Sequence, residues 1–179
     1  MTSTSPIKTG GSPTQAGAWR PMRTDDLGAV AEIADRVHEA YPEDPEIFAE
    51  RLRLWPEGCW VYESDGALIA YVLSHPAIAF APPPLNSLLG ELPKVPTTYY
   101  IHDLALLPET RGQGAGSAIV RILLDGALRS GCPDVSLVAV NESAGFWGRH
   151  GFETVSVPAL DAKLRSYDED ARFMVRPLV

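Results

Sequence analysis

The sequence predicts a single domain of the α/β (α+β) class, in which helices and strands pack around one core. Three observations support this fold class. The 179 residues, with a mass of 19.4 kDa, are enough for one such domain. Hydrophobic residues make up 45% of the chain and charged residues 21%, as is typical of folded globular proteins. Segments with helical spacing of apolar residues alternate with short apolar runs that are typical of strands.

The first third of the chain predicts a tail, an edge strand and two helices. Residues 1–18 have few side chains to bury, so we expect a disordered N-terminal tail and a folded domain over residues 19–179. A short strand is predicted over residues 19–23, at a sheet edge because its proline removes one ladder donor. Apolar spacing after Thr24 predicts a helix, and Pro45 begins a second helix that ends near Leu54.

The middle of the chain predicts a hairpin, a long loop and a central strand. Residues 59–63 and 67–73 form two apolar runs joined by a turn that contains Gly66. The stretch from His75 to Pro96 contains several prolines, which favour a long surface loop of the kind that often carries function. The following run, Thr98 to Leu107, lacks clean alternation and therefore predicts a central strand that is buried on both faces.

The last third predicts further helices and strands. Apolar residues at helical spacing between Ala118 and Ala127 indicate a helix, which ends at Gly131. Three strands and a short helix are then expected: a strand over 135–140, a helix around 143–150, a strand near 152–157 and a last strand over 172–175.

Charge and composition exclude several classes of function. A net charge of −8 and an isoelectric point near 4.9 argue against nonspecific binding to nucleic acid or anionic membranes. No apolar run approaches the roughly 20 residues needed to cross a bilayer, and the N-terminus has no signal-peptide segment, so we expect a cytoplasmic protein. Cys59 and Cys132 are too few for a disulfide framework and are expected to be buried, reduced thiols.

A glycine-rich turn is the most informative segment. The run from Leu104 to Ser117 ends a strand and opens a helix with Gly112, Gly114 and Gly116 at alternate positions. Unpaired amides and the helix dipole at such a turn attract phosphate oxygens, although the glycines also suit a tight turn alone. The loop has no lysine, which excludes a Walker motif, and its G-x-G-x-G spacing differs from the dinucleotide fingerprint.

This segment resembles the acyl-CoA loop of the GNAT superfamily of N-acetyltransferases, whose motif is Arg/Gln-x-x-Gly-x-Gly/Ala after a central strand. Arg111, Gly114 and Gly116 match the motif. The resemblance covers about residues 19 to 177 and implies a central mixed, mostly antiparallel sheet with splayed central strands, flanked by helices. A second block of the family is similar to Asn141-Glu142-Ser143-Ala144, Phe146-Trp147 and Gly151-Phe152.

The resemblance also implies acetyl-CoA as cosubstrate, with no metal, and a set of binding residues. The pyrophosphate would lie on the loop amides, and the pantetheine arm would pair with the strand, where the Leu106 amide would polarise the thioester carbonyl. Asn141 would bind the pantetheine or serve only as a turn or cap residue. The cosubstrate-binding candidates are Leu104, Ala105, Leu106, Arg111, Gly112, Gln113, Gly114, Ala115, Gly116, Ser117, Asn141, Phe146 and Trp147.

The candidates for acid and base chemistry lie at two places. Trp147 stands where the family often has a general-acid tyrosine, and because indole does not ionise usefully, this departure puts such a general acid in doubt, although the thiol can leave with help from water. The alternative is that Trp147 is only a core aromatic residue of the short helix. His102 and Asp103 are the candidate bases, or else buried hydrogen-bonded residues. Adjacent strand residues point to opposite faces, so only one of the two is expected to face the acceptor. The acceptor pocket is expected to be shaped by Tyr41, Glu43, Asp44 and loop 76–96.

The sequence therefore predicts an enzyme, an acetyl-CoA-dependent N-acetyltransferase in which the amine of a small molecule attacks the acetyl carbon directly. Two alternatives stay open. One is a non-catalytic acyl-CoA-binding regulatory module, and the other is a protein or peptide N-acetyltransferase. No nucleic acid or membrane is expected as a partner, and the formation of a homodimer is left open.

Overall fold

The computed structural model describes residues 17–178. Within them, one sheet contains seven strands: β1 (Ala18–Pro21), β2 (Cys59–Ser64), β3 (Ala67–Ala77), β4 (Thr98–Leu106), β5 (Asp134–Ala139), β6 (Glu153–Thr154) and β7 (Arg172–Pro177). Five α-helices accompany it: α1 (Leu27–Val37), α2 (Pro45–Leu54), α3 (Ala115–Arg129), α4 (Ala144–Arg149) and α5 (Asp161–Tyr167).

The sheet is mixed and mostly antiparallel, as predicted. Its strand order is β1-β2-β3-β4-β5-β7-β6, and β4 and β5 form the one parallel pair among the described strands. Helices α1 and α2 pack on one face, where Val30, Ile33 and Phe48 are buried against Tyr71 and Leu73. Helices α3 and α4 pack on the other face, in a core that includes Ile119, Leu123, Trp147 and Phe152. The predicted layer of helices on each side of a central sheet is confirmed.

Several element boundaries differ from the predicted ones. Strand β3 continues to Ala77, so the loop begins later than predicted. The strand tolerates Pro76 because residues beyond Leu73 pair with β4 alone, and no donor is needed on the other edge. Helix α5 was not predicted, because its seven residues show little apolar periodicity and contacts with distant carbonyl groups hold it in place.

The N-terminal boundary also differs. Ala18, predicted as part of the tail, is the first residue of β1 and pairs with Glu63 of β2. The edge position predicted for this strand is confirmed. The rest of the predicted tail, residues 1–16, lies outside the described residues. Cys59 and Cys132 are buried and free of disulfides. None of the helices within residues 17–178 is both long enough and apolar enough to cross a membrane.

Candidate active site

The two central strands separate part-way along their length. β4 and β5 pair only from Tyr99 to Ile101 on one side and from Val135 to Leu137 on the other. Beyond these residues β4 continues to Leu106 with β3 as its remaining partner. The result is a gap between two parallel strands at the centre of the sheet.

Main-chain groups of β4 face this gap. The Leu107 N–H donates to the Ile69 carbonyl at 3.0 Å, which fixes the phase of the β3–β4 ladder. Because main-chain groups of an antiparallel strand alternate in direction, Ala105 bonds to β3 while the N–H and C=O groups of Leu104 and Leu106 point into the gap. Of the three residues predicted along the pantetheine arm, the structure therefore directs Leu104 and Leu106 towards the gap and Ala105 away from it.

The glycine-rich loop connects this strand to helix α3 and presents unpaired amides. Gly112 and Gly114 have φ values of 77° and 70°, a left-handed backbone that favours glycine. The first hydrogen bond of the helix runs from the Ala118 N–H to the Gly114 carbonyl. The N–H groups of Gly114 through Ser117 precede it and have no backbone acceptor among residues 17–178. Free N–H groups of this kind at a helix N-terminus are the groups that attract anions.

The third glycine of the loop, Gly116, is explained by packing rather than by backbone conformation. A Cβ atom on Gly116 would lie 3.0 Å from the ring of Phe146, so a larger residue there requires the aromatic ring to shift. The predicted loop residues are also held by side chains: Trp19 donates to the Ala115 carbonyl at 2.8 Å, and Tyr62 donates to Gln113 Oε1 at 3.1 Å. The loop conformation is therefore set by packing before any ligand binds.

Positive charge surrounds the outer side of this loop. Ser117 Oγ lies 3.3 Å from His150 Nε2. Burial, together with the charges of Arg149, Arg176 and Arg121, lowers the pKa of His150. Sequence reasoning missed these arginines because they come from three separate elements. Their charges suit a phosphorylated ligand that extends past the loop.

The two predicted residues after β5 differ in exposure. Asn141 is exposed and adopts a positive φ of 52°, and its N–H donates to Asp168 Oδ2 at 3.0 Å. Trp147 is 6% exposed and packs in the core, with its ring 5.3 Å from that of Phe152. The structure thus places Trp147 in the core, as one of the two alternatives anticipated.

A cleft that is partly open to solvent lies where β4 and β5 begin to separate. Its lining comes from both central strands, from α1 and α2 and from loops, and includes Tyr100, His102 and Asp103 of β4. Tyr41 and Glu43, predicted to shape the acceptor pocket, also line it. Asp44 is exposed at the start of α2 and is absent from the lining.

His102 and Asp103 both face the cleft, contrary to the expectation that only one would. Leu73 of β3 pairs with Asp103 and Ser74 pairs with Ile101, so His102 is an extra residue without a partner. This β-bulge interrupts the alternation of side chains. Asp103 therefore follows His102 on the same face of the sheet.

Each of these two residues is paired with a side chain from another element. Asp103 Oδ1 lies 2.9 Å from His38 Nε2, and Asp103 Oδ2 accepts a hydrogen bond from the Tyr71 hydroxyl. His102 Nε2 lies 3.1 Å from Glu43 Oε2. The cleft thus contains two His–carboxylate pairs. Within residues 17–178, no group of three or more His, Cys, Asp or Glu side chains is arranged to hold a metal ion.

The pairing sets the charge of these groups. Burial raises the pKa of Asp103, but the charge and hydrogen bond of His38 outweigh it and leave the pKa lowered. Burial lowers the pKa of His38, but Asp103 and Glu43 outweigh it and leave the pKa raised. For Glu43, burial is likewise outweighed by His102, and its pKa is lowered. Both carboxylates are ionised at neutral pH, and His38 is more basic than a free imidazole.

A roof loop, residues 78–97, covers the cleft and is fastened on both sides. Towards α2, Asn86 bonds to Glu43 and to Asp44, and Glu50 accepts the N–H groups of Leu89 and Gly90. Towards α5, the Tyr167 hydroxyl donates to the Pro83 carbonyl and Lys163 donates to the Pro82 carbonyl. Pro83, Pro84 and Leu85 of the roof loop line the cleft between these attachments.

A comparison of the sequence with models of protein families agrees with the glycine loop and with the gap between the central strands. The model described as the Acetyltransferase (GNAT) family matches residues 26–152. This chain belongs to the GNAT acetyltransferase family. The resemblance predicted from the glycine loop is therefore confirmed. A search of curated proteins finds no relative that matches this GNAT acetyltransferase.

Solved structures share the fold at low sequence identity. Ard1 from Thermoplasma volcanium superposes with a TM-score of 0.70 at 20% identity, covering 92% of this chain and 99% of that one. The GNAT-like decarboxylase GphF, solved with isobutyryl-CoA, superposes with a TM-score of 0.75 at 20% identity, covering 90% of this chain and 100% of that one. N-acetylglutamate synthase from Neisseria gonorrhoeae, solved with coenzyme A and N-acetyl-glutamate, superposes with a TM-score of 0.68 at 18% identity. The match covers 91% of this chain and 35% of that one. These structures show a common fold, while function depends on the site that each presents.

Sequence reasoning missed His38 and Tyr71 in this GNAT acetyltransferase. His38 follows the last residue of α1, and Tyr71 lies in the middle of β3. A single histidine after a helix and a tyrosine in an apolar strand carry no local signal. The two side chains converge on Asp103 only through the pairing of β3 with β4 and the packing of α1 on the sheet.

Proposed function

We propose that this GNAT acetyltransferase is an acetyl-CoA-dependent N-acetyltransferase that acts on the amine of a small molecule. The observation that carries the proposal is the position of the cleft, whose two His–carboxylate pairs lie beside the unpaired main-chain groups of β4. Such an arrangement brings an amine, a base and a hydrogen-bond donor for the thioester oxygen to one point.

The residues present fit acetyl-CoA. The free N–H groups from Gly114 to Ser117 suit the pyrophosphate, and the arginines beside them suit its charge. The main chain of Leu104 is placed to pair with the pantetheine arm, and the exposed Asn141 amide lies at the other side of the gap. When bound, acetyl-CoA supplies the activated acetyl carbonyl, and the Leu106 N–H is the donor that stabilises negative charge on its oxygen.

His38 is the group best suited to take the proton from the amine. Because Asp103 is ionised and can only accept, His38 Nε2 donates to it, which leaves the lone pair of the neutral ring on Nδ1. Asp103 therefore acts as a positioning residue that orients His38 and raises its basicity, and Tyr71 holds the carboxylate. A carboxylate with a lowered pKa is a poor proton acceptor, so we no longer favour Asp103 as the base. His102, which is paired with Glu43 in the same cleft, stays the other candidate base predicted from the sequence.

The transfer balances as a direct displacement. The deprotonated amine nitrogen forms a bond to the acetyl carbon, and the bond between that carbon and sulfur breaks. The ammonium first loses one proton to His38, which passes it to solvent. The second proton leaves the nitrogen once the C–N bond has formed and goes through water to the departing thiolate, whose thiol has a reference pKa of about 8.5. The buried Trp147 has no part in this step.

The roof loop favours a small acceptor over a protein. A peptide substrate needs an open groove in which an extended segment can lie. Here the roof loop is bonded to the α2 side through Asn86 and Glu50 and to the α5 side through Pro83. The two His–carboxylate pairs beneath it favour catalysis over a purely regulatory acyl-CoA-binding module, which needs no base.

The first experiment measures binding and turnover separately. Acetyl-CoA at 100 times its dissociation constant should stabilise the fold by about 2.7 kcal/mol, whereas NAD should not. Release of free thiol in the presence of small amines then reports transfer. Stabilisation without turnover of any amine would favour the regulatory module, and turnover of peptides alone would favour a protein acetyltransferase.

The second experiment tests the base. His38→Gln should lower kcat roughly 100-fold with little change in acetyl-CoA affinity. Asp103→Asn should move the acidic limb of the pH–rate profile to lower pH, because the imidazole loses the charge that raises its pKa. Glu39→Gln, an exposed neighbour, is the matched control and should behave as wild type. If His38→Gln keeps normal turnover, His38 is not the base.

A further inference from the structure

The walls of the cleft are mostly apolar. Apart from the two His–carboxylate pairs, its lining consists of aromatic, aliphatic and proline side chains. The hydroxyls of Tyr71 and Tyr167 are already bonded, to Asp103 and to the Pro83 carbonyl, so these residues offer mainly their rings to a ligand. The walls also offer the hydroxyls of Tyr41 and Tyr100, so a ligand body that fills this space is matched mainly by apolar contact and ring packing and by few hydrogen bonds. Representative wall residues are Phe48, Tyr100, Tyr167, Leu85, Val138 and Val140.

The permanently charged side chains of the cleft are all acidic. Its lining contains neither lysine nor arginine among residues 17–178. The two imidazoles are already paired with Asp103 and Glu43, so no unpaired cation faces the ligand. A carboxylate on the ligand would meet two ionised carboxylates whose imidazole partners are already paired, which is unfavourable even in a cleft that is partly open to solvent. An ammonium group would instead be attracted to the same place.

The negative charge is also confined to one part of the lining. Glu43 pairs with His102, and Asp103 is the next residue of β4, so the two carboxylates lie at the same part of the lining. All remaining wall residues are uncharged. One ammonium group is therefore matched, while a second charge further along the ligand would lie among apolar side chains without a partner.

We infer that the acceptor of this site is a small monoamine with an aromatic or branched aliphatic body and no carboxylate. The inference rests on the proposed function and narrows it: amino acids, polyamines and peptides are excluded as good acceptors. The amine enters as an ammonium attracted by Glu43 and Asp103, and its apolar body lies under the roof loop against the tyrosine rings. Deprotonation by His38 then frees the nitrogen for attack.

The test compares acceptors that differ by one group. Thiol release with acetyl-CoA is measured for 2-phenylethylamine, L-phenylalanine, putrescine and a short peptide with a free N-terminus. The first two differ only in the α-carboxylate. We expect kcat/KM for 2-phenylethylamine to exceed that for phenylalanine by roughly 100-fold or more, and to exceed those for putrescine and the peptide as well.

A pair of variants tests whether the negative charge of the cleft causes the preference for 2-phenylethylamine over phenylalanine. Glu43→Gln removes one carboxylate and should narrow the ratio between 2-phenylethylamine and phenylalanine by roughly 10-fold. Glu46→Gln, an exposed change on α2, should leave the ratio as in wild type. An unchanged ratio in Glu43→Gln would overturn the electrostatic argument.

The outcomes separate the two proposals. If phenylalanine, putrescine or the peptide is the better acceptor, the inferred acceptor class is wrong although the protein is an N-acetyltransferase. If acetyl-CoA stabilises the protein but no amine is acetylated, the proposed function fails and the acceptor class fails with it.

Discussion

Glu50 links the roof loop to helix α2 through a buried ion pair, and its removal should be costly. Its Oε1 accepts the Gly90 N–H and its Oε2 accepts the Leu89 N–H, both at 2.8 Å. Oε2 also pairs with Arg51 Nη1, and the two side chains are 6% and 1% exposed. Burial lowers the pKa of Arg51 despite this partner, so the site disfavours an isolated cation.

The change Glu50→Ala leaves one buried cation and two main-chain donors without their acceptor. Removing one partner of a buried ion pair costs about 3–5 kcal/mol. The two N–H groups belong to a loop that water can reach once it loosens, so they add little beyond that range. For a chain of this size the melting temperature should fall by roughly 6–20 °C, since 1 kcal/mol corresponds to about 2–4 °C.

Urea unfolding followed by tryptophan fluorescence measures this loss directly. The matched control is Glu46→Ala, an exposed position on the same helix, which should change the free energy of unfolding by less than about 0.5 kcal/mol. Loosening of the roof loop should also raise KM for the acceptor while acetyl-CoA affinity stays constant. A loss below about 1 kcal/mol for Glu50→Ala would refute the argument that this ion pair anchors the loop.

Three further changes test the remaining features of the site. Gly114→Glu should abolish stabilisation by acetyl-CoA, because the new carboxylate would occupy the anion site. Gly114→Ala places a side chain at the same positive φ of 70° without the charge, and it should keep most of the stabilisation by acetyl-CoA. Gly116→Ala should cost about 1–3 kcal/mol in thermal unfolding, since its Cβ meets the Phe146 ring at 3.0 Å, and Phe146→Leu in the same chain should restore part of the loss. The stability advantage of wild type over His38→Gln should be largest between about pH 4 and 6.5. It should fall as pH rises through the raised pKa of His38 or drops through the lowered pKa of Asp103, and a difference independent of pH would contradict the ion pair.

Local patterns in the sequence were enough to predict much of the fold. Helix α2 runs from Pro45 to Leu54 as predicted, because a proline in the first turn and apolar residues at helical spacing are signals within ten residues. The glycine loop could also be predicted from the sequence, because its free N–H groups belong to consecutive residues. By contrast, β3 continues through Pro76 only because its partner β4 supplies the pairing, and α5 is held by carbonyls of the roof loop.

The sequence alone determined the family and the position of the glycine loop, because both depend on residues adjacent in the chain. Only the tertiary structure showed which side chains meet in the cleft. His38 lies 65 residues from Asp103, and Glu43 lies 59 residues from His102, so no periodicity relates the members of either pair. The bulge that turns His102 and Asp103 to one face arises from the register between β3 and β4. Long-range packing and strand register create these contacts, and neither is encoded in any short segment.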